Sequence, residues 1–341
     1  MTRLAVALSG GVDSSVAAWL LREQGNEVIG LSLRLGQGPD AAWRAGAAAA
    51  AQLGIAHRVV EAGPVFAERV VAPSVAAYAA GLTPNPCAWC NARVKLPLLL
   101  AAADDLGCQA LATGHYARLV AGPAGPCLAE AADAAKSQAY FLARVRPGIL
   151  GRLRLPLGGL TKPRVRELAA AAGLLAAGRP DSQDACFLPP GGWDELMARH
   201  GVPRPGVIED ERGRVLARHR GLHRFTVGQR RGLGVALGSP AYVLALDGET
   251  AAVRVGPAAG LMASGLLGTA PAWHLPPAQR PELRVRIRYA HRGVACRVEE
   301  GPDGVRVLFS AAQRAVAPGQ LAVFTSRGLV AGSAWIKQAI I

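Results

Sequence analysis

The alternation of short apolar runs with helical patterns over the first half of the chain is the feature that most constrains the fold. The apolar runs are short and strand-like, and amphipathic or alanine-rich helical patterns separate them. Strands separated by helices predict an α/β fold with a doubly wound parallel sheet, because consecutive parallel strands need a crossover connection. The predicted strands are Leu4–Leu8, Glu27–Leu35, Ala56–Glu61 and Ala110–Thr113. The predicted helices are Ser14–Gln24, Asp40–Leu53, Val65–Ala80, Val94–Leu106, Lys162–Leu174 and Trp193–His200.

The pattern changes after Gly201, where helical periodicity stops. Short alternating runs follow, such as Val253–Val255 and Arg284–Tyr289, and Gly, Pro and Asp separate them. This pattern is typical of antiparallel sheets and small barrels. We therefore predict three domains: a parallel-sheet domain over residues 1–200, a smaller β-rich domain over 201–268, and a C-terminal β-barrel over 269–341.

The loop after the first predicted strand reads Ser9-Gly10-Gly11-Val12-Asp13-Ser14. A glycine-rich turn that opens a helix presents free backbone N–H groups, which favour an anion. Asp13 would repel a phosphate unless Mg²⁺ lay between them, and the loop lacks the lysine of a Walker A motif. The stretch resembles the PP-loop of ATP pyrophosphatases, which cleave ATP to AMP. The alternative is a plain strand–helix turn with an aspartate cap.

The charge of the chain indicates a polyanionic partner. Lys and Arg total 38 against 24 Asp and Glu, a formal net charge of +14. An excess of this size favours nucleic acid over a merely solvated basic surface. Because no apolar run reaches the length of a membrane span and no signal-like segment opens the chain, we expect a cytoplasmic protein without membrane association.

Three of the six cysteines lie in polar loops. Cys87 and Cys90 fall in the proline-rich stretch Thr83–Asn91, which we predict to be a stiff loop, and Cys186 ends the polar stretch Asp181–Cys186. Nearby cations favour thiolates, and Arg93 and Lys95 follow Cys90. A CxxC zinc half-site is one alternative, although no second pair of ligands is evident. A three-cysteine iron–sulfur site is another.

These motifs together resemble the bacterial tRNA-specific 2-thiouridylase family over nearly the whole chain. The matching stretches occur in the family's order: SGGVDSSVAA, TPNPCAWCNARVK, LATGHYAR, DAAKSQAYFLAR, PLGGLTKPRVRELA, DSQDACF, GLHRFTVGQRRGLG, RIRY and AVAPGQLAVF. The resemblance implies ATP-dependent thiolation of the wobble uridine of tRNA. It also implies ATP contacts from Ala7, Leu8, Ser9, Gly10, Gly11, Val12, Asp13, Ser14, Leu33 and Gly114, with Mg²⁺ accompanying the nucleotide.

The resemblance also assigns roles to two cysteines. Family enzymes adenylate the C2 oxygen of the uridine and release pyrophosphate. The cysteine matching Cys186 then accepts sulfur as a persulfide from a donor protein. The cysteine matching Cys90 attacks that persulfide, which leaves a Cys90–Cys186 disulfide to be reduced.

Further positions match family contacts to tRNA. Asn85, Pro86 and Cys87 match residues around the target base, and the remaining contacts match His115, Lys136, Ser137, Gln138, Arg288, Tyr289 and Gln320. The basic stretch His219–Gly234 is predicted to be a hairpin that binds RNA. Two positions depart from the family pattern, since many members carry aspartate at Cys87 and at Ser137.

Two other functions agree with parts of the sequence. A different PP-loop enzyme, such as a tRNA lysidine synthetase or a small-molecule amidating ligase, would need the nucleotide loop but no paired loop cysteines. An RNA-binding protein with a vestigial loop would need the basic surface but no ATP cleavage.

Overall fold

The structure is a computed structural model. It describes residues 1–36, 41–122, 125–180, 185–202, 204–235 and 238–341. The described chain forms two compact units. The first comprises Met1–Val70, Cys87–Phe187 and Gly328–Val330, and the second comprises Val71–Pro86, Leu188–Arg327 and Ala331–Ile341. The division into three domains at residues 200 and 268 stays a prediction.

The first unit is built on a five-stranded parallel sheet in the order β3-β2-β1-β4-β7. This confirms the predicted parallel sheet. A separate antiparallel pair, β5 and β6, follows β4, and Ala129 of β6 pairs with Leu329. The strands are β1 Arg3–Ala7, β2 Glu27–Arg34, β3 Ala56–Glu61, β4 Ala110–Ala112, β5 Ala117–Val120, β6 Cys127–Glu130 and β7 Leu153–Arg154.

Ten α-helices lie within the described part of the first 200 residues. They are α1 Val12–Glu23, α2 Ala41–Leu53, α3 Gly63–Phe66, α4 Ala72–Ala79, α5 Pro86–Cys90, α6 Leu96–Asp105, α7 Ala139–Leu142, α8 Pro147–Leu150, α9 Lys162–Ala171 and α10 Gly192–Arg199. Asp40, the predicted first residue of the second helix, lies outside the described residues. In the first unit, α1 and α9 bury their apolar faces with β1 in one core, which includes Val6, Val16 and Val165.

Two elements of this region differ from prediction, and the first is the predicted helix Val65–Ala80, which a π-helical turn at Ala67–Val71 interrupts. The second is the stretch around Cys87, which is a helix; Pro86 occupies its first turn, where the missing N–H of proline costs no hydrogen bond. A π-helical turn, Asn91–Lys95, joins α5 to α6. Such turns interrupt α-helices mostly as single bulges, and often at functional sites.

The second unit contains a four-stranded sheet in the order β10-β11-β8-β9. The pair β11 and β8 is parallel and the other pairs are antiparallel. Its strands are β8 Gly206–Glu209, β9 Val215–His219, β10 Tyr242–Asp247 and β11 Ala252–Gly256. The predicted hairpin at His219–Gly234 is wrong. The described part of that stretch forms a 3₁₀ turn, Leu222–Arg224, and an irregular loop, because Leu222, Phe225 and Leu233 turn into the core of this sheet.

Six antiparallel strands close the predicted C-terminal β-barrel. Their order is β12-β15-β14-β13-β16-β17, and β12 pairs again with β17. They are β12 Met262–Trp273, β13 Arg284–Arg286, β14 Val294–Gly301, β15 Gly304–Arg314, β16 Leu321–Ser326 and β17 Leu329–Ile340. The interior includes Val285, Val307 and Phe324, all fully buried. No helix among the described residues is long and apolar enough to cross a membrane.

Candidate functional site

The glycine loop lies between β1 and α1, as predicted. Gly10 has a φ of +72°, and a Cβ there would lie 2.3 Å from the backbone of Ala45, so only glycine fits. The hydroxyl of Ser14 donates to Gly11 O at 3.1 Å and accepts from the N–H of Ser9 at 3.2 Å. The first intrahelical bond of α1 starts at Ser15 N, and no described residue accepts from the N–H groups of residues 12–14. These groups are therefore open to an anion.

A lysine distant in sequence neutralises the aspartate of this loop. Lys162 Nζ donates to Asp13 Oδ1 at 2.7 Å and to Oδ2 at 2.9 Å, and Tyr116 donates its hydroxyl to Oδ1 at 2.8 Å. Lys162 is buried and begins α9. The Lys162 ammonium group therefore offsets the charge of Asp13, and Mg²⁺ as the companion of ATP stays a prediction. Arg179 brings a second positive charge to the loop, because its guanidinium group donates a hydrogen bond to Gly10 O at 2.9 Å.

The TGHY segment that follows β4 packs directly on this loop. A Cβ at Gly114 would lie 2.8 Å from Asp13 C and from Ser14 N, so glycine permits the close approach. Gln138 Oε1 accepts from Tyr116 N at 2.9 Å, and Gln138 N donates to Tyr116 O at 2.6 Å. Gln138 therefore holds in place the tyrosine that binds Asp13. Leu33, also predicted to contact ATP, is half-buried in β2, opposite Val60 of β3.

The three loop cysteines belong to the same unit as the glycine loop. All six cysteines of the chain are described and none forms a disulfide. Cys87 and Cys186 are exposed, and Cys90 is half-buried at the end of α5. A thiolate at Cys186 would raise the pKa of both Cys87 and Cys90. The thiols of Cys87 and Cys90 therefore respond to charge at Cys186.

Burial has the largest effect on the pKa of Cys90. Desolvation raises the pKa of its thiol to about 12, against the opposing effect of the Lys95 charge. Burial therefore opposes the effect of the neighbouring cation, and the role of Cys90 in sulfur transfer stays a prediction. Desolvation also raises the pKa of Cys87, and Lys95 again acts in the opposite direction.

This shift leads to a first prediction, on alkylation. Iodoacetamide at pH 7.5 should modify Cys90 about 10²- to 10³-fold more slowly than an ordinary exposed thiol, because only the thiolate reacts. The rate should rise about tenfold per pH unit up to pH 9, while exposed Cys186 reacts first. Peptide mapping by mass spectrometry measures both rates.

The raised pKa of Cys90 also affects stability. As pH rises above 9.0, Cys90 loses its proton in the unfolded chain before it does so in the folded protein. The free energy of unfolding should therefore fall above this pH.

Unfolding in guanidinium provides the control for this experiment, since both cysteines should then react at similar rates. Fast alkylation of Cys90 in the folded protein at pH 7.5 would contradict the burial argument.

His115 is half-buried and lies beside Lys95. The Lys95 Nζ to His115 Nε2 distance is 3.2 Å, and His115 Nδ1 lies 2.8 Å from Thr113 Oγ1. Burial and the Lys95 charge together lower the pKa of His115 well below its usual value. The imidazole is therefore neutral, with Nε2 as the acceptor for the Lys95 ammonium group and the proton on Nδ1.

Two of the predicted tRNA contacts in the LAEAADAAKSQ segment are involved in internal structure. Ser137 is buried and its hydroxyl accepts from Ala131 N at 3.1 Å, whereas Lys136 is exposed. Gln138 is bound to Tyr116, as described above. Of this group, Lys136 presents its side chain to solvent, and the tRNA contacts stay predictions.

Of the tRNA contacts predicted in the second unit, Gln320 is engaged in internal hydrogen bonds, whereas Arg288 and Tyr289 are at least partly exposed. Gln320 Nε2 donates to Thr83 O at 3.0 Å and to Pro84 O at 3.4 Å, and Thr83 N donates to Pro318 O at 2.9 Å. This turn between β15 and β16 thus holds the segment that leads to buried Asn85 and half-buried Pro86. Arg288 and Tyr289 follow β13, which ends earlier than predicted, at Arg286. Arg288 is exposed and Tyr289 half-exposed.

The sequence analysis gave no site role to Lys162, Tyr116 or Arg179. Lys162 and Tyr116 lie inside two of the matching stretches, TKPRVRELA and TGHYAR, so the resemblance could have pointed to them.

Among the described residues, no group of three or more His, Cys, Asp or Glu is arranged to hold a metal ion. The iron–sulfur alternative stays a prediction. Residues 181–184 of the stretch before Cys186 lie outside the described residues.

Three family models match the chain in succession. They are described as the tRNA methyl transferase HUP domain over residues 2–190, the tRNA methyl transferase PRC-barrel domain over 194–257, and the aminomethyltransferase beta-barrel domain over 263–336. They agree with the observed parallel sheet, four-stranded sheet and closed barrel.

Curated relatives match over almost their full length. The tRNA-specific 2-thiouridylase MnmA of Trichlorobacter lovleyi is 43% identical over 99% of this chain and 98% of its own. The proteins of the same name from Rhodospirillum centenum and Chloroflexus aurantiacus are each 42% identical over 99% of this chain, covering 92% and 99% of their own. With these identities over nearly its whole length, the chain belongs to the tRNA-specific 2-thiouridylase family.

Proposed function

We propose that the protein is a tRNA-uridine 2-sulfurtransferase that uses ATP to replace the C2 oxygen of the wobble uridine with sulfur. The observation that carries this proposal is the presence of an open anion-binding loop and of three loop cysteines, Cys87, Cys90 and Cys186, in one compact unit. ATP activation and sulfur delivery are separate chemical tasks, and this unit has residues suited to each. The names of the relatives agree with this combination.

The nucleotide half of the reaction uses the glycine loop. The open N–H groups at the start of α1 suit the phosphates of ATP, and Lys162 and Arg179 add positive charge at the same loop. ATP, bound with Mg²⁺, supplies the adenylyl group that turns the C2 oxygen into part of a good leaving group. Pyrophosphate leaves in that step and AMP in the next.

The sulfur half uses Cys186 and Cys90. Exposed Cys186 is accessible to a donor protein and would carry the incoming sulfur as a persulfide, Cys186–S–SH. The Cys90 thiolate attacks Sγ of Cys186 and releases the outer sulfur as sulfide, which attacks C2 and expels AMP. Each mole of sulfur transferred leaves one Cys90–Cys186 disulfide, which must be reduced by two electrons.

The basic surface and the β-rich second unit are proposed to bind the tRNA. Lys136 and Arg288 are exposed cations suited to phosphate contacts, and Tyr289 offers a ring for stacking on a base. A cytoplasmic location, where tRNA and ATP are both present, is part of the same proposal.

A direct assay tests the proposed function. Enzyme, ATP, Mg²⁺, sodium polysulfide as the sulfur source and a tRNA transcript with a wobble uridine should yield 2-thiouridine together with AMP and pyrophosphate in equal amounts. Nucleoside mass spectrometry and a pyrophosphate assay measure the products. The matched control is the same transcript with cytidine at the wobble position, which should accept no sulfur.

Two results would contradict the proposal. AMP formation with a modified cytidine in the tRNA would indicate a lysidine-synthetase-like enzyme. Tight tRNA binding without pyrophosphate release would indicate an RNA-binding protein whose loop no longer acts on ATP.

A further inference from the structure

The turn formed by residues 133–138 lies between β6 and α7 in the first unit. The N–H of Lys136 donates to Asp133 O at 3.1 Å and to Asp133 Oδ1 at 3.3 Å, and these bonds close the turn. The Ser137 hydroxyl accepts from Ala131 N and ties the turn to the residue that follows β6. The exposed side chain of Lys136, a predicted tRNA contact, therefore stands on a turn of defined shape.

The second carboxylate oxygen of Asp133 binds a helix that begins far along the chain. Asp133 Oδ2 accepts from Lys162 N at 3.0 Å, at the first residue of α9. The first N–H groups of a helix have no partner within it, and a negative charge is favoured beside them. Thr161, the N-cap, accepts from Arg164 N, whereas Pro163 has no N–H to satisfy. Asp133 thus completes the start of α9 and fixes the backbone of its first residue.

The other end of the 133–138 turn holds a tyrosine. Gln138 Oε1 accepts from Tyr116 N at 2.9 Å, and Gln138 N donates to Tyr116 O at 2.6 Å. Tyr116 is itself buried. This pair of hydrogen bonds fixes the backbone of Tyr116 and therefore the place of its hydroxyl group.

Both routes from the 133–138 turn end at Asp13. Lys162 Nζ and the Tyr116 hydroxyl are the groups that bind the Asp13 carboxylate within the described part of the chain. One route runs from Asp133 through Lys162, and the other runs from Gln138 through Tyr116. The turn therefore positions both the cation and the hydroxyl donor at the loop proposed to hold ATP.

The 133–138 turn is exposed enough to respond to a ligand. Ala134, Ala135 and Lys136 are exposed, in contrast to buried Lys162 and Tyr116 at the ends of the two routes. Exposed turns with few buried contacts open locally at a low free-energy cost. A ligand that binds the closed turn better than the open one shifts this local equilibrium by its difference in affinity.

We propose that Asp133 is a positioning residue for ATP activation, through which tRNA bound at the 133–138 turn acts on the nucleotide loop. This inference rests on the proposed function. A tRNA phosphate bound by Lys136 holds the turn closed and, with it, the start of α9. Lys162 then stays where it offsets Asp13, and the loop binds ATP more tightly. Because coupling between sites is reciprocal, bound ATP tightens tRNA binding by the same factor.

Binding of α,β-methylene ATP tests this coupling, because the analogue cannot release pyrophosphate. Its Kd is measured by equilibrium dialysis without tRNA and with a saturating wobble-uridine transcript. In the wild type, tRNA should tighten binding of the analogue about tenfold. In Asp133→Ala, tRNA should tighten it less than about twofold, while the Kd without tRNA rises by no more than about threefold.

A double-mutant cycle tests whether Asp133 acts through Lys162. Asp133→Ala should lower kcat for tRNA-dependent pyrophosphate release about tenfold in the wild type, but less than about twofold in the Lys162→Met background. Radiolabelled ATP makes the slow rates of that background measurable. A merely structural role would instead lower the melting temperature and leave the two kinetic losses additive.

Two further variants complete the comparison. Asp133→Asn keeps the size of the side chain and one acceptor oxygen, so its losses should be intermediate, and it serves for both tests if Asp133→Ala does not fold. Glu167→Ala removes an exposed carboxylate from the same helix α9 and should behave as wild type.

Several results would overturn the positioning role. They are wild-type coupling in both Asp133 variants, additive losses in the cycle, and an equal loss of coupling in Glu167→Ala. A wild type that makes 2-thiouridine but binds the analogue equally well with and without tRNA would also overturn it. If the wild type makes no 2-thiouridine in the direct assay, the proposed function itself fails, a result distinct from missing coupling.

Discussion

Replacing Cys186 with serine is expected to abolish sulfur transfer, with the rate of 2-thiouridine formation falling by at least about 10³-fold. A hydroxyl cannot carry a persulfide, and Cys87 is the one other exposed thiol among the described residues. Activation of the uridine should persist, because the glycine loop and its cations are untouched. The same variant should therefore still release pyrophosphate from ATP when tRNA is added.

Two assays measure sulfur transfer and activation of the uridine separately. Nucleoside mass spectrometry follows the sulfur, and a coupled pyrophosphate assay follows the activation. Cys108→Ser, which removes a buried thiol elsewhere in the same unit, is the control and should retain both activities. Substantial thiolation by Cys186→Ser would mean that sulfur reaches the base by another route.

Replacing Lys162 with methionine should cause the second large effect. The substitution leaves Asp13 without its cation at the loop proposed to hold the phosphates of ATP, so a carboxylate would then repel them. We expect tRNA-dependent pyrophosphate release to fall by at least about 10²-fold. Because Asp13 is partly exposed, solvent screens its charge, and the free energy of unfolding should fall by only about 1–2 kcal/mol.

A double variant separates charge from packing in this experiment. Asp13→Asn combined with Lys162→Met removes both charges and should recover most of the lost stability. Lys337→Met, at an exposed lysine of the barrel, is the control for loss of one positive charge. Unchanged pyrophosphate release in Lys162→Met would show that the ion pair with Asp13 serves the fold alone.

Much of the architecture could be predicted because its signals are local. Alternating strand and helix patterns predicted the parallel sheet, and alternating residues beyond Gly201 predicted the barrel. The helix at Pro86–Cys90 was missed because two prolines in Thr83–Asn91 suggested a loop. Proline is equally compatible with the first turn of a helix, and the choice depends on packing around buried Ala88, which the sequence does not reveal.

The candidate site was predictable only where its residues are neighbours in sequence. The glycine loop is one continuous segment, so its geometry follows from a strand, a turn and a helix. The Asp13–Lys162 pair joins residues 149 positions apart, and no local pattern indicates it. The raised pKa of Cys90 was not predictable from the sequence, because charge can be read from neighbouring residues, whereas burial depends on the folded environment.

The long separation between Asp13 and Lys162 also has a consequence for synthesis of the protein. A ribosome makes Asp13 early, but the ammonium group that balances it emerges only after α9 has been translated. On the nascent chain Asp13 therefore lacks the cation that pairs with it in the finished structure. The glycine loop reaches its final electrostatic environment only after the last strand of the parallel sheet and α9 have both been made.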